Sequence, residues 1–494
     1  MWISLISGLL TGAAFVNPAF FPLVYFSLVP FLWNLRQAQN YGQAAKTALL
    51  FAVPFFAVVL WWLNELNNFV PFWSTLAYAA LVGYQSLLFL LFGVVAHYLK
   101  SIKRISWIMT WPAAFVVVDY LRTLGPYGVS AGGLGYSQTW ALPMLQIARF
   151  TGVFGISFFL LVVNGLILSL VVSRRFRAVK LLALAALVAA NFSFGSAVIH
   201  SYSAAQNNLP TVKLALVQGG VPQAERLQNW NNDYYFSIYR RLSCGAQAFH
   251  PQIYVWPETA FNNFIEGRTT FAQLAALSKD LDAGLIMGAP RAGEREYFNS
   301  AYFFANGKPL RDVYDKQVLV PFAEYLPLRP ITYPVLSSTR MYESDYAPGK
   351  GATVFNLAGK RIGLLICFES TFPNPSRERV KAGADFLLTL TNDAWFGKSF
   401  GLQQHLQAGV LRAVENGAYF VQAANTGLSA AVDGVGCIQA CSTVNAAQAL
   451  IVKVKPRTGL TFYSQFGDVF VLVCFLGLAG LIAGQKFFRQ NYGR

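Results

Sequence analysis

The sequence predicts a helical membrane domain of eight spans with one α/β sandwich domain inserted before the last span. Three observations carry this reading. The chain is 55% hydrophobic and only 12% charged, well outside the usual soluble range. Apolar stretches of bilayer length recur through residues 1–202 and once more near the C-terminus. Between them, from Thr211 to Val454, short apolar runs alternate with helical patterns and are separated by Gly, Pro, Asn and Asp.

The spans are read in order at about 20–36, 44–66, 74–99, 106–122, 150–174, 179–199 and 466–488, with a shorter apolar stretch at 2–15 as the first. Asn17-Pro18 is a turn signal that divides this first stretch from the second. No Lys or Arg precedes Leu5, and another apolar span follows at once, so the N-terminus is expected to be retained rather than cleaved as a signal peptide.

Orientation follows from the basic residues, which resist translocation and collect on the cytoplasmic side. Arg36 and Lys46 flank one loop; Lys100, Lys103 and Arg104 lie in another; Arg174, Arg175, Arg177 and Lys180 form a third group; Lys486, Arg489 and Arg494 end the chain. An eight-span count puts all of these on one face, leaving only Arg122 and Arg149 opposite. Both termini are then cytoplasmic, and residues 203–465 lie on the outer side. The organisation is a membrane domain of seven spans over 1–202, a sandwich domain over 203–465, and an eighth span with a cytoplasmic tail over 466–494.

This topology also explains the formal charge of +16, which would otherwise point to nucleic acid. Residues 203–465 hold 24 Lys/Arg against 19 Asp/Glu, a net of only +5. The remaining excess sits in the spans and their loops, so no nucleic-acid partner is expected. Cys244, Cys437 and Cys441 lie in the inserted domain apart from Cys367, and an odd number leaves at least one without a disulfide.

Within the inserted domain the expected strands are Val212–Gln218, Ile253–Trp256, Gly284–Gly288, Ser300–Ala305, Leu310–Tyr314, Thr353–Asn356, Ile362–Ile366, Phe386–Thr389, Ala418–Ala423 and Ser429–Val432. Helical patterns cover Asn231–Cys244, Phe271–Ala283 and Gln403–Glu415. Residues 321–348 are rich in Pro and aromatics and follow neither period, which marks a long loop of the lid or binding kind.

Three polar residues each close an apolar run. Glu258 follows Ile-Tyr-Val-Trp-Pro, Lys316 follows the strand ending at Tyr314, and Cys367 follows Leu-Leu-Ile. Strand ends in an α/β sheet bring distant residues into one crevice. A thiol needs a base to take its proton and a cation to steady the charge that develops, and Glu and Lys suit those two tasks. His250 and His405, the only histidines of the domain, close no such run, and with His97 and His200 they are read as structural. No phosphate loop or metal-ligand cluster is present in the sequence, so neither a metal nor a cofactor is expected.

These residues resemble the Glu-Lys-Cys triad of the nitrilase, or carbon-nitrogen hydrolase, superfamily. Glu258 stands in Trp-Pro-Glu-Thr, Lys316 in Tyr-Asp-Lys-Gln-Val-Leu-Val-Pro-Phe-Ala-Glu-Tyr-Leu-Pro, and Cys367 in Ile-Cys-Phe-Glu. Asn392-Asp-Ala-Trp-Phe-Gly397 and Arg412-Ala-Val-Glu-Asn416 match further motifs. The enclosing spans are similar to those of one branch, the apolipoprotein N-acyltransferases of the bacterial inner membrane.

The resemblance implies a nitrilase-like αββα sandwich on the periplasmic side and a ping-pong acyl transfer. A phospholipid would give its acyl chain to Cys367, and the α-amine of a diacylglyceryl-cysteine apolipoprotein would receive it. Glu258 would be general base and Lys316 the oxyanion cation, with the backbone N–H of Phe368 as second donor. Glu324 would orient Lys316, Glu369 would support the site, and Trp230, Asn299 and Trp395 would place substrate. The family often has Tyr where this chain has Phe368.

Acyl chains give this implication a physical basis, because drawing a chain into water costs roughly 0.8 kcal/mol per CH2. An enzyme carried by membrane spans lets the chains stay in lipid. The alternative is a membrane-anchored amidase or nitrile hydrolase with the same triad, which leaves eight spans little to do. A transporter is poorly supported, since Glu65, Asp119 and Asp468 are the only acids in the spans and lie near their ends.

Overall fold

The computed structural model describes residues 2–102, 105–336, 345–351 and 353–492. Lys103, Arg104 and Arg494 lie outside the described residues, as do residues 337–344 of the long loop and the side chains of Lys486 and Arg489. The chain divides into two compact units, one of residues 1–67, 71–201 and 465–494, the other of residues 68–70 and 202–464.

In the first unit, small residues let helices approach closely. A Cβ on Gly8 would lie 2.3 Å from the Phe51 carbonyl oxygen, and one on Gly12 would lie 2.9 Å from Val58 Cβ. The two glycines are one helical turn apart, so Ile3–Val16 packs along Tyr41–Val59 on a small-residue face. Among the described residues, five helical segments are long and apolar enough to cross a membrane: Pro18–Gln37, Tyr41–Val59, Trp73–Lys100, Val153–Val172 and Arg177–Gln206. Ile3–Val16, Trp107–Leu121 and Val469–Gln485 are apolar but shorter.

Two expected spans differ in detail. The second is broken, with a 3-10 helix over Pro18–Tyr25 and an α-helix over Val29–Gln37. Asn164 bridges the break, donating to the Val24 carbonyl at 2.8 Å and accepting from the Leu28 N–H at 3.1 Å. Backbone groups freed inside a membrane need such partners. The stretch at 44–66 stops as an α-helix at Val59 and continues as a 3-10 turn over Trp61–Asn68.

Arg122, expected as a loop charge, is buried instead. Its Nη1 donates to Asp119 at 2.5 Å, its Nε to Gln85 at 2.7 Å and its Nη2 to the Ala131 carbonyl at 2.7 Å, while its guanidinium lies 4.6 Å from the Phe56 ring centroid.

The second unit is an αββα sandwich. One sheet runs in the order β13-β1-β2-β3-β4-β5, with β6 also on β4; the other runs β12-β11-β10-β9-β8-β7. In chain order the strands are β1 Val212–Gln218, β2 Ile253–Val255, β3 Gly284–Ala292, β4 Tyr297–Ala305, β5 Lys308–Pro309, β6 Tyr314–Asp315, β7 Val354–Leu357, β8 Lys360–Ile366, β9 Phe386–Thr391, β10 Phe420–Ala424, β11 Ala430–Val432, β12 Ile438–Cys441 and β13 Gln448–Val454.

The period of two along β1 sorts its side chains between two cores. Val212, Leu214 and Leu216 face the other sheet and meet Ile362, Leu364, Phe386, Leu388 and Val421. Ala215 and Val217 face the helices, beside Tyr235, Tyr239 and Leu274. Burial on both faces explains why the central strands read as continuous apolar runs. The helices Asn232–Ala246 and Thr269–Asp280 cover the first sheet; Pro373–Lys381 and Gly401–Asn416 belong to the second.

Most expected strands fall within a few residues of those found. The exception is Leu310–Tyr314, most of which is an irregular stretch between two short strands, β5 and β6. Sequence reading also missed β12 and β13, and the helix Arg329–Leu336 inside the loop expected to lack regular structure. All five cysteines are free thiols.

Candidate active site

Glu258 sits three residues beyond β2, where Trp256 anchors the exit. The indole stacks on Tyr239 at 4.9 Å and donates to Ser243 at 3.0 Å. The loop then passes directly over Gly288 of β3. A Cβ there would lie 2.7 Å from Glu258 Cα, the Pro257 carbonyl oxygen and the Thr259 nitrogen, so only glycine leaves room for this path. The Gly288 N–H donates to the Pro257 carbonyl at 3.1 Å and fixes the loop.

Lys316 follows β6 directly, and its N–H donates to the Asn299 carbonyl at 2.8 Å. Its side chain is buried with its ammonium 3.3 Å from Glu258 Oε1 and 2.9 Å from the Glu324 carboxylate. Asn299 Nδ2 donates to both acids, at 2.7 Å to Glu258 and 2.9 Å to Glu324. Glu258 Oε2 accepts from the Asn392 N–H at 2.8 Å, and Glu324 Oε2 from the Val320 N–H at 2.8 Å. An ammonium has three N–H donors, so two carboxylates leave one for another acceptor.

Cys367 follows β8 at a sharp corner. Its φ of +50° is in the left-handed region, which a side chain adopts only when its surroundings hold it there. The residue begins a single 3-10 turn, Cys367–Thr371. The residue as a whole is partly buried. Burial of its surroundings, and then the charge of Glu258, push its pKa well above the usual value, against the opposing pull of Lys316. The resting thiol is therefore neutral. For Lys316, burial alone would lower the pKa, but Glu324 and Glu258 outweigh it and hold the ammonium well above its usual range. A neutral thiol beside a buried ammonium and carboxylate can lose its proton only to a base at the moment of attack.

Glu369 ties the two sheets together at this point. It accepts from the Gln317 N–H at 2.7 Å and the Val318 N–H at 3.0 Å, just beyond the lysine, and from the Ile366 N–H at 2.7 Å, just before the cysteine. The Tyr314 hydroxyl lies 2.7 Å from Glu369 Oε2 and accepts from Arg379 Nη2 at 2.5 Å. Burial, and then Glu369, push the Tyr314 pKa well above 10, so the hydroxyl remains a donor.

The structure thus gathers Glu258, Lys316, Glu324 and Asn299 in one hydrogen-bonded cluster, with Cys367 coupled to it electrostatically and Glu369 linking the lysine and cysteine loops. Phe368 beside the thiol packs edge-on against Phe372 at 4.9 Å. Trp395 lies on the turn after Asn392 and meets Phe69 edge-on at 5.3 Å. Trp230 is 60% exposed in the loop before Asn232–Ala246, and among the described contacts none joins it to the triad.

His405, which closes no apolar run and which the sequence reads as structural, is buried against the cysteine corner. Its Nδ1 is 2.8 Å from Asp393 Oδ1, and its Nε2 is 2.9 Å from Ser370 Oγ and 3.3 Å from the Cys367 carbonyl oxygen. Burial alone would lower its pKa, but Asp393 outweighs this and holds it above the usual value. Its neighbour in sequence space was visible, since Asp393 belongs to the Asn392–Gly397 motif.

Comparison with known proteins decides the family. A protein of Geobacter metallireducens named apolipoprotein N-acyltransferase is 30% identical, with 99% of this chain and 95% of that protein aligned. The chain belongs to the apolipoprotein N-acyltransferase family. A protein of Vibrio cholerae with the same name is also 30% identical, over 99% of this chain and 96% of its own length. The family model for the apolipoprotein N-acyltransferase N-terminal domain matches residues 7–166, and the carbon-nitrogen hydrolase model matches residues 213–459. Among solved structures, an amidase of Nesterenkonia from the nitrilase superfamily is 17% identical with a TM-score of 0.40, covering 52% of this chain and 96% of that one. The αββα unit is thus the carbon-nitrogen hydrolase part of an apolipoprotein N-acyltransferase family member, and the apolar helices belong to its membrane part.

Proposed function

We propose that this membrane enzyme transfers a fatty acyl chain from a phospholipid to the N-terminal α-amine of a diacylglyceryl-cysteine apolipoprotein, through a thioester on Cys367. The observation that carries this reading is the buried Lys316 held between two carboxylates beside a neutral thiol. Full-length likeness to proteins named for this reaction supports the substrates. The hydrolase alternative is not favoured, because those relatives match the membrane part as well as the sandwich.

In the first half-reaction Glu258 takes the thiol proton as Cys367 Sγ attacks the ester carbonyl. The oxyanion accepts the remaining Lys316 N–H and the backbone N–H of Phe368. Collapse breaks the C–O bond, and the leaving alkoxide takes the proton from Glu258, giving a lysophospholipid and a thioester. In the second half the α-amine attacks the thioester carbonyl and gives a proton to Glu258. The C–S bond breaks, the proton returns to sulfur, and the N-acylated product leaves. The ester's energy is kept in the thioester, so the cycle runs on these residues alone.

Glu324 orients Lys316, Asn299 bonds both carboxylates and with Trp230 and Trp395 places substrate, Glu369 holds the two loops in register, and Phe368 supports the site through its backbone N–H. The charge pattern of the loops favours an eight-span arrangement in the bacterial inner membrane, with the catalytic unit on the periplasmic side. Intact mass measurement of the protein mixed with phospholipid tests the reading. A fatty-acyl increment that hydroxylamine removes, and that Cys367→Ser does not form as a thioester, is expected. Absence of any adduct, with ammonia released from a small amide, would sink it in favour of hydrolysis.

A further inference from the structure

We infer that His405, charged and held by Asp393, is a positioning residue that aims the Phe368 N–H at the oxyanion by clamping the Cys367 carbonyl from behind. This inference rests on the acyl-transfer reading of Cys367.

The argument starts with one peptide unit. The Cys367 carbonyl and the Phe368 N–H belong to the same planar trans peptide, so they point in opposite directions. Whatever fixes the carbonyl therefore fixes the N–H. The corner needs such fixing, because a φ of +50° at Cys367 is a strained conformation, and rotation of this peptide would turn the N–H away. The Phe368 N–H lies in the first turn of a 3-10 helix, a position that has no acceptor within the helix and is suited to an incoming anion.

Besides the Ser370 N–H of the 3-10 turn itself, two side chains reach the carbonyl among the described residues. Ser370 Oγ donates to it at 2.7 Å, and His405 Nε2 approaches it at 3.3 Å. Proton counting then sets the state of His405. Ser370 has one hydroxyl proton, and it is given to the carbonyl, so Nε2, 2.9 Å from Ser370 Oγ, must carry its own proton. Nδ1 faces an Asp393 oxygen at 2.8 Å that also accepts from Thr391 Oγ1 at 2.7 Å. A carboxylate accepts both bonds, so Nδ1 is protonated as well, and the ring is an imidazolium. Hydrogen bonds to the carbonyl also polarise the peptide and strengthen its N–H as a donor.

Among the described residues the charged groups acting on His405 are Asp393 and Glu258, and Cys367 meets it through its backbone carbonyl. Asp393 raises the His405 pKa, so the imidazolium persists to higher pH than that of an ordinary histidine and is lost as pH rises through this raised value. The thiol and Lys316 both titrate well above their usual values, which separates their limbs from this one.

Single-turnover acylation of the full-length, detergent-solubilised protein by phosphatidylethanolamine in mixed micelles, followed by intact mass from about pH 6 to about pH 9, tests this. The wild type should show an alkaline decline in the acylation rate. Asp393→Asn should move that decline to lower pH, by roughly one unit or more. His405→Gln keeps a donor that does not titrate, so it should be slower by about tenfold at neutral pH, with the decline abolished and half-saturating phospholipid changed less than about twofold. His405→Phe should be slower still. Superimposable pH profiles for wild type and His405→Gln overturn the inference, as does a rate loss explained by the unfolded fraction in thermal melts. Absence of any adduct on the wild type would instead overturn the acyl-transfer reading beneath it.

Discussion

Two buried cations, Arg122 in the membrane unit and Lys316 in the sandwich, are both paired with carboxylates, but they are completed differently. Arg122 gives its fork to Asp119, Gln85 and the Ala131 carbonyl and rests over Phe56. Each of its three nitrogens donates a hydrogen bond, and the group fixes a helix end to the loop that follows. Lys316 has a compact head, two carboxylates and one donor to spare. The contrast is one of geometry: a fork bonded through all three nitrogens ties a fold together, whereas on the proposed mechanism a compact ammonium with one open donor is prepared for an anion that appears only during reaction.

Three substitutions test this contrast through the acylation rate. Lys316→Met should give the largest loss, roughly 10²–10³-fold in single-turnover acylation, because the oxyanion loses its cation. A rate within about threefold of wild type would show that the open donor has no catalytic role. Gly288→Ala should act next, by about 10–100-fold, since the added Cβ pushes the Glu258 loop away from the thiol while leaving Lys316 in place. Equal kinetics for Gly288→Ala would mean that the base tolerates displacement. Arg122→Met should leave the rate per folded molecule within about twofold, yet lower stability by about 3–5 kcal/mol by stranding Asp119. Adding Asp119→Leu should recover most of that stability in denaturant or thermal unfolding; a rate loss that survives this rescue would erase the distinction between the two cations.

The sandwich was legible because its central strands are buried on both faces and so read as unbroken apolar runs. Glu258, Lys316 and Cys367 stood out because each ends such a run. The failures have the same physical root. Ile438–Cys441 is largely exposed, so no burial pattern marked it. His405 lies on Gly401–Asn416, where both faces are largely buried, and a uniformly buried helix gives no periodicity to distinguish a functional side from a packed one. Arg122 looked like a loop charge because it ends a helix, and its partner Gln85 lies 37 residues earlier in the chain. The second span read as continuous because Asn164, which satisfies its break, lies far along the chain.

Glu369 gives the site a mechanical character. Glu258 and Lys316 ride on one sheet and Cys367 on the other, and four donors from both sides converge on this single carboxylate. A slip of one sheet past the other by a single residue repeat, about 3.3 Å, would part sulfur from base. Glu369 acts as a rivet against that shear. The reacting distances are therefore a property of how the whole sandwich is fastened, and no one loop sets them.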